Sequence, residues 1–329
     1  MGRKIYVVLN GKAGRRDLDF SKSEIVAAFK KHDSQCEVEF GLTQGPMHAA
    51  ELAREAAKTG KYYCIVAAGG DGTVNEVTNG MAHSGARMGI IANGSTNVFC
   101  SEVKISSNFD VAAKCILEGT PVEVDVGKVG DRYYIWMLGV GIEAKIAHLV
   151  NPKIKKYFGV LAYVIAAFRQ AFDKGRQIMK IVFDDEQEIT FSTFNTVVGN
   201  GTSFDGFLGI RSRFSIKDGF LDVCVFQHKS PIGIVQLVIN FIKGRRDYYR
   251  FIDKFSAAHC RAKKMHIETV PNAWYHVDGE VMGMTPIDIE VHHKALTLIL
   301  PEETAGKEAA DAWRKLPAAE REKPLPEVK

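Results

Sequence analysis

The chain predicts an α/β protein in two parts, an open N-terminal α/β domain followed by a β-sandwich-like domain. Three observations carry that reading. The first third alternates short apolar runs with amphipathic helical segments, the pattern of parallel strands joined by crossover helices. Three loops rich in Gly and Asn lie at the carboxyl ends of those runs, where open α/β sheets place their ligands. After about Val122 the texture changes to strand runs separated by glycine turns, the mark of an antiparallel sandwich.

Taken in order, the runs Lys4–Leu9, Cys36–Leu42, Tyr62–Ala68 and Arg87–Ala92 read as strands. Asp19–Lys31, Met47–Lys58, Val74–Ala82 and Asn108–Glu118 read as helices. In the first helix Ile25, Val26 and Phe29 keep the 3.6-residue period and lysines take the other face. The second half offers strand runs at Val122–Val129, Arg132–Leu138, Gln177–Phe183, Glu188–Val198, Leu221–Phe226, Phe255–Cys260, Lys264–Glu268, Ala273–Val277 and Ile287–Val291, with two inserted helices. The expected domains are residues 1–121 and 122–300, followed by a tail over 301–329 rich in Ala, Glu, Lys and Pro.

Composition is that of a globular protein: 329 residues, 46% hydrophobic and 25% charged. The six cysteines show no CxxC spacing, so neither a zinc site nor a redox motif is indicated, and Cys64 and Cys224 read as small core residues. The chain enters a strand at Lys4, which leaves no room for a signal peptide. Its longest apolar stretch, Tyr157 to Ala167, is shorter than the roughly 20 residues of a membrane span. The expected location is cytoplasmic, at most peripheral to the inner face of the membrane.

The net charge of +4 is unevenly spread. Residues 151–180 carry seven Lys/Arg against one Asp, and residues 241–264 carry eight against two. Basic clusters on an otherwise acidic chain point to an anionic partner surface, and no nucleic-acid motif accompanies them.

The most specific stretch is Gly69-Gly70-Asp71-Gly72-Thr73-Val74-Asn75-Glu76-Val77, at the junction of a strand and a helix. Glycines there let backbone approach a phosphate chain closely, and a helix N-terminus points free N–H groups and a partial positive charge at it. A plain tight turn would use Gly and Asp as well. The nonapeptide as a whole resembles the nucleotide-binding signature of the diacylglycerol kinase catalytic family, which includes sphingosine and ceramide kinases. Asn10-Gly11-Lys12-Ala13-Gly14 stands where that family has Asn-Pro-x-x-Gly, with Gly11 for Pro. Ala92–Phe99 is similar to Pro-x-Gly-Thr-x-Asn-Asp-Phe, with Ala92 for Pro, Ser95 for Thr and Val98 for Asp. Asp125-Val126-Gly127, Gly139-Val140-Gly141, Gly199-Asn200-Gly201, Lys217–Asp222 and Asp278-Gly279-Glu280 follow in family order, so the resemblance covers roughly residues 4–300.

The resemblance implies an ATP-dependent lipid kinase with its active site in the cleft between the two domains. The acceptor would be a lipid hydroxyl, first of all that of diacylglycerol. Ceramide and sphingoid bases are rival acceptors, and an NAD kinase or a non-catalytic lipid- or nucleotide-binding relative are more distant readings. The cradle for ATP is Asn10, Gly11, Lys12, Ala13 and Gly14 with Gly69, Gly70, Asp71, Gly72, Thr73, Val74 and Asn75. Lys12, Arg15 and Arg16 add positive charge there, and Thr43 and Ser95 add hydroxyl contacts. Val98 removes the family's carboxylate at its position.

For the general base two carboxylates compete. Asp278-Gly279 between strand runs is a hairpin-turn signal, while the resemblance implies Glu280 as proton acceptor and Asp71 as the metal-binding or alternative base. A turn before a strand also accounts for Asp218, yet bacterial members imply a structural magnesium there, held by Asp218 and the carbonyls of Ser215 and Phe220. Hard oxygen donors suit Mg2+.

Pro152–Arg176 carries Phe158, Leu161, Ala162, Ile165, Phe168 and Phe172 at helical spacing, flanked by basic residues. It reads first as a core helix and second as a membrane-contacting one. Lys243–Arg250 interleaves arginines with tyrosines as an interfacial surface would. The expected partners are ATP, a membrane lipid and an anionic membrane surface, with no nucleic acid and the oligomeric state left open.

Overall fold

Parallel strands covered on both faces need nearly continuous apolar runs, and Cys64–Gly69 is buried along its whole length. The computed structural model describes residues 2–11, 18–94, 97–149, 177–184, 187–200, 215–226 and 257–305. These fall into two compact units, residues 2–126 with 292–305 and residues 127–291. The boundary follows Val126, a few residues after the expected one, and the last nine residues of the expected second domain belong with the first unit. Lys12–Asp17, the helix expected over Pro152–Arg176, the basic run Lys243–Arg250 and the tail from 306 onward lie outside the described residues.

The first unit contains β1 (Lys4–Leu9), α1 (Leu18–His32), β2 (Glu37–Leu42), α2 (His48–Thr59), β3 (Cys64–Gly69), α3 (Asp71–Met81), β4 (Arg87–Ala92), α4 (Val98–Glu102) and α5 (Phe109–Glu118). Its strands run parallel in the order β2-β1-β3-β4. The chain leaves through β5 (Thr120–Val129) and returns through the last residues of β16 (Ile287–Leu300), where Thr297 and Leu298 pair in parallel with Arg87 and Met88. α7 (Glu302–Ala305) follows. Ile5, Val7 and Leu9 of β1 pack with Ile25 and Phe29 of α1 and with Ile116 of α5. Lys31 and His32 at the end of α1 both reach Asp110 of α5, at 2.8 and 2.9 Å.

Two features of this unit depart from the sequence expectation. α3 begins at Asp71 rather than Val74, because Gly70 is extended (φ −91°, ψ −173°) and already serves as the N-cap position. α4, only five residues long, is too short for a periodicity to reveal. Glu76 of the signature plays a structural part. Its Oε2 accepts the Ala49 N–H at 3.2 Å, at the start of α2, whose own N-cap residue Met47 supplies no side-chain bond. Glu76→Ala is therefore expected to lower stability by about 1 kcal/mol, the usual cost of a lost helix cap. Chemical denaturation reads this, and an unchanged midpoint would show that the contact is idle.

The second unit contains β6 (Arg132–Tyr134), β7 (Met137–Gly141), α6 (Ile142–Leu149), β8 (Gln177–Phe183), β9 (Gln187–Thr193), β10 (Asn195–Gly199), β11 (Leu221–Phe226), β12 (Ala257–Ala262), β13 (Lys264–Val270), β14 (Trp274–Val277) and β15 (Glu280–Met284), with the first residues of β16. One antiparallel sheet has the order β12-β11-β10-β7-β14-β15, and β9, β8, β13 and β16 pair antiparallel in another. Leu138, Val198 and Val223 of the first meet Met179, Ile181 and Ile267 of the second in one core, which makes this unit sandwich-like.

The run expected as one strand over Glu188–Val198 is two. β9 pairs with β8, and after Phe194 the chain passes to β10 between β7 and β11. Thr193 Oγ1 takes the Asn195 N–H at 3.2 Å and so satisfies a donor at the break. Arg132–Leu138 is likewise interrupted at Ile135 and Trp136. α6 lies outside the expected elements.

On the exposed side of β13, His266 stands opposite Asp288 in register. Its Nδ1 is 2.7 Å from Asp288 Oδ1 and its Nε2 is 3.2 Å from Glu268 Oε1. The hydrogen bond to Asp288 above all holds the ring's pKa above its ordinary value. Stability from a raised histidine is fully present below the unfolded-state pKa of about 6.5 and is lost as pH rises through the folded value. Wild type should therefore lose more stability than His266→Gln between about pH 6 and pH 8. Parallel melting curves would contradict this.

Candidate active site

In the order β2-β1-β3, the chain leaves β1 toward opposite sides, so the carboxyl ends of β1 and β3 frame the topological switch point, where doubly wound sheets bind nucleotides. The segments after these strands are the two that the motifs single out. They are tied together there: Asn10 N–H donates to Ala68 O at 3.1 Å, and Asn10 Nδ2 donates to Thr73 Oγ1 at 3.1 Å. Thr43, after β2, comes to the same end of the sheet, its N–H donating to Leu9 O at 3.1 Å.

Gly70 sits at the mouth of α3, whose first N–H groups have no helical acceptor. The glycines allow a close contact here. A Cβ on Gly70 would stand 3.3 Å from Gly94 Cα, and one on Gly94 would stand 2.6 Å from Asn97 Oδ1. The loop after β4 is thus laid directly on the loop after β3. Asn97, left-handed at φ 50°, fastens it by accepting the Gly94 N–H and donating to the Gly94 carbonyl, both at 2.9 Å. Asn97 is a positioning residue that the sequence-derived site lacks, although it lies inside the Ala92–Phe99 motif.

The Asp71 carboxylate turns toward the start of α4, and its Oδ1 accepts the Phe99 N–H at 3.3 Å. Burial raises its pKa, and backbone N–H groups around residues 97–99 oppose that shift. Asn10, Gly11, Thr43, Gly69, Gly70, Asp71, Gly72, Thr73, Val74 and Asn75 thus belong to one end of one sheet. Thr73, Val74 and Asn75 are buried in α3. Lys12, Ala13, Gly14, Arg15, Arg16 and Ser95 lie outside the described residues.

In the second unit Asp278 and Gly279 form the hairpin turn between β14 and β15, with φ 47° and 87°, the positive pair a two-residue type I′ turn needs. Asp278 is more than a turn former. Its Oδ1 accepts the N–H groups of Trp136 and Met137 at 3.1 and 2.9 Å, and its Oδ2 accepts that of Ile135 at 3.1 Å. Asn200 holds the same segment from its carbonyls, donating Nδ2 to Ile135 O at 3.1 Å and N–H to Trp136 O at 2.9 Å. Two motifs distant in sequence therefore grip one break between β6 and β7.

Glu280 follows as the first residue of β15, its side chain 61% exposed, and its Oε2 lies 3.0 Å from Arg132 Nη2. Arg132 is the partner that sequence reasoning missed. A single arginine after a Gly-Asp turn carries no pattern that marks it.

The third predicted cluster surrounds Asp218, whose Oδ1 accepts the Phe220 N–H at 3.2 Å in a side-chain-to-backbone turn. Its Oδ2 pairs with Arg261. Arg261 also reaches Asp222 at 3.2 Å, its cross-strand neighbour, and lies over the Phe220 ring. Ser215 is buried and accepts the Lys217 N–H at 3.3 Å. Among the described residues no group of three or more His, Cys, Asp or Glu side chains is placed to hold a metal ion. A site here would depend on backbone oxygens. The donors fit Mg2+ in kind, since all are oxygen and two carboxylates face a single guanidinium.

Comparison with known proteins matches both units in order. The family model of the diacylglycerol kinase catalytic domain matches residues 4–129, and that of the YegS C-terminal NAD kinase beta sandwich-like domain matches residues 137–300. A diacylglycerol kinase of Bacillus subtilis is 26% identical over 316 residues, covering 92% of this chain and 98% of the relative. One from Staphylococcus aureus is 26% identical over 266 residues, 79% of this chain and 81% of its own. The crystal structure of a diacylglycerol kinase from Bacillus anthracis is similar with a TM-score of 0.67 at 25% identity, covering 92% of this chain and 98% of that one. An NAD kinase from Archaeoglobus fulgidus, solved with ATP, shares the fold at a TM-score of 0.50 and 14% identity, over 92% and 95% of the two chains. With the catalytic-domain match followed by the sandwich-domain match, the chain belongs to the diacylglycerol kinase catalytic-domain family.

Proposed function

We propose that the protein is an ATP-dependent lipid kinase that transfers the γ-phosphate to a lipid hydroxyl, with diacylglycerol as acceptor and phosphatidic acid as product. The observation that carries this reading is the switch-point loop. Gly70 and Gly94 let the loops after β3 and β4 lie against each other at the α3 N-terminus, the space beside Gly72 is open, and Asn10 and Thr73 are bonded next to it. Phosphoryl transfer asks mainly for positioning and charge stabilisation. The N–H groups at the head of α3 hold the phosphates, and Thr43 and Ser95 contact the nucleotide, as do Lys12, Ala13 and Gly14. Asp71 supplies a carboxylate beside the phosphates. Glu280 accepts the proton of the attacking hydroxyl, and Arg132 keeps the carboxylate in place.

Magnesium would be held by Asp218 with the Ser215 and Phe220 carbonyls, where it supplies a fixed positive charge that orders the loop. Among the described residues no helix is long and apolar enough to cross a membrane. The protein would meet its lipid from the surface of an anionic bilayer.

Gly70→Val tests the cradle. The added branches push against Gly94 and part the two loops at the α3 N-terminus, so ATP affinity by calorimetry should fall about 10-fold or more, the scale of one lost charge-assisted hydrogen bond. Unchanged ATP affinity in a folded Gly70→Val would remove this loop from the nucleotide site.

A further inference from the structure

His276 is the penultimate residue of β14, two residues before Asp278, and is 4% exposed. Its Nδ1 accepts the Gly279 N–H at 3.3 Å, so the central peptide of the turn that leads into Glu280 is bonded to the ring. A ring nitrogen that accepts carries no proton, which puts the proton of the neutral ring on Nε2. Nε2 faces Glu143 Oε2 at 3.6 Å, and that oxygen is buried with no hydrogen-bond partner among the described residues. Glu143 is held in turn at the first residues of α6, where its N–H donates to Asn195 Oδ1 at 3.4 Å. Gly139 on β7 leaves the space for the pair: a Cβ there would stand 2.9 Å from His276 Cδ2 and 3.0 Å from Glu143 Oε2.

None of this is needed to form the hairpin. Asp-Gly supplies the positive φ angles, and the Asp278 carboxylate is already anchored by three N–H groups. What the ring adds is a fixed turn peptide beneath a catalytic carboxylate that is itself mostly exposed. Such side chains are productive only when their backbone is held to a fraction of an ångström.

We propose that His276, packed beside Glu143, is a positioning residue for Glu280. This rests on the reading of Glu280 as the base, and the test separates the two. Asn places its Oδ1 near the position of Nδ1 and keeps an acceptor for Gly279. Gln places its amide nitrogen near the ring Nε2 and keeps only the reach toward Glu143. His276→Asn should retain wild-type kcat within about threefold, while His276→Gln should lose about 10-fold or more, with the ATP KM unchanged in both. Amide exchange at Gly279 should be fast in the Gln variant alone.

Equal kcat in folded Asn and Gln variants would reduce His276 to packing and overturn the proposal. If Glu280→Gln, assayed beside them, is inactive in that case, the base assignment survives. Wild-type kcat in Glu280→Gln would sink the base and the positioning role together. One measurement needs no variant: nitrogen NMR of the wild type should find His276 Nδ1 unprotonated and Nε2 protonated, and the opposite tautomer would overturn the proposal.

Discussion

Glu280→Gln should lower kcat by about 100-fold or more, the usual scale for losing a general base, with ATP affinity unchanged. The substitution keeps shape and leaves a carbonyl oxygen for Arg132, so it isolates the charge. Stability should move by no more than about 0.5 kcal/mol, as for other exposed positions, because the side chain is 61% exposed and its ion pair with Arg132 is open to water on the carboxylate side. Its neighbour Asp278 makes a useful contrast. That carboxylate is spent on three backbone N–H groups, so replacing it should harm folding before chemistry. Near wild-type turnover in folded Glu280→Gln would move the role of base to Asp71.

Asp71→Asn is expected to separate activity from stability in the opposite sense to a structural residue. Burial raises the Asp71 pKa more than the surrounding N–H groups lower it. A carboxyl with a raised folded pKa contributes its stability below the unfolded value and loses it as pH rises through the folded one. At neutral pH the ionised group is therefore a cost to the fold, and Asn removes that cost while keeping one acceptor for the Phe99 N–H. The variant should be at least as stable as wild type at pH 7, with turnover lowered about 100-fold or more if the charge serves the phosphates or their metal. A variant with full turnover and lowered stability would make Asp71 a cap for α4 and nothing else.

The parts of the fold legible in the sequence are those whose order is local. β1, β3 and β4 are continuous apolar runs, and α1, α2 and α5 carry a helical period over ten or more residues, so their limits fall within a few residues of the expected ones. α4 and α6 span five and eight residues, too few for a period to emerge. The break at Phe194 lies inside a run of Phe, Thr and Val with no Gly or Pro to mark it, and it is set by which strands β9 and β10 find as partners. The same holds for Ile135–Trp136, whose interruption is imposed by Asp278 and Asn200 from afar.

The candidate site divides in the same way. The Gly69–Asn75 loop is legible because close backbone approach favours glycine, and glycines at fixed offsets are visible in a string of letters. Glu76 belongs to the signature in sequence yet caps a neighbouring helix, while Asn97, Arg132 and His276 act through contacts that no spacing announces.

The central claim is that ATP's terminal phosphate goes to a lipid hydroxyl. Transfer of label from γ-labelled ATP in mixed micelles tests it most directly, with diacylglycerol, ceramide, a sphingoid base and NAD offered as acceptors in the same assay. Label is expected in phosphatidic acid, dependent on diacylglycerol and abolished in Glu280→Gln. Label appearing in phosphorylated NAD, or in no acceptor at all while ATP binds, would contradict the claim.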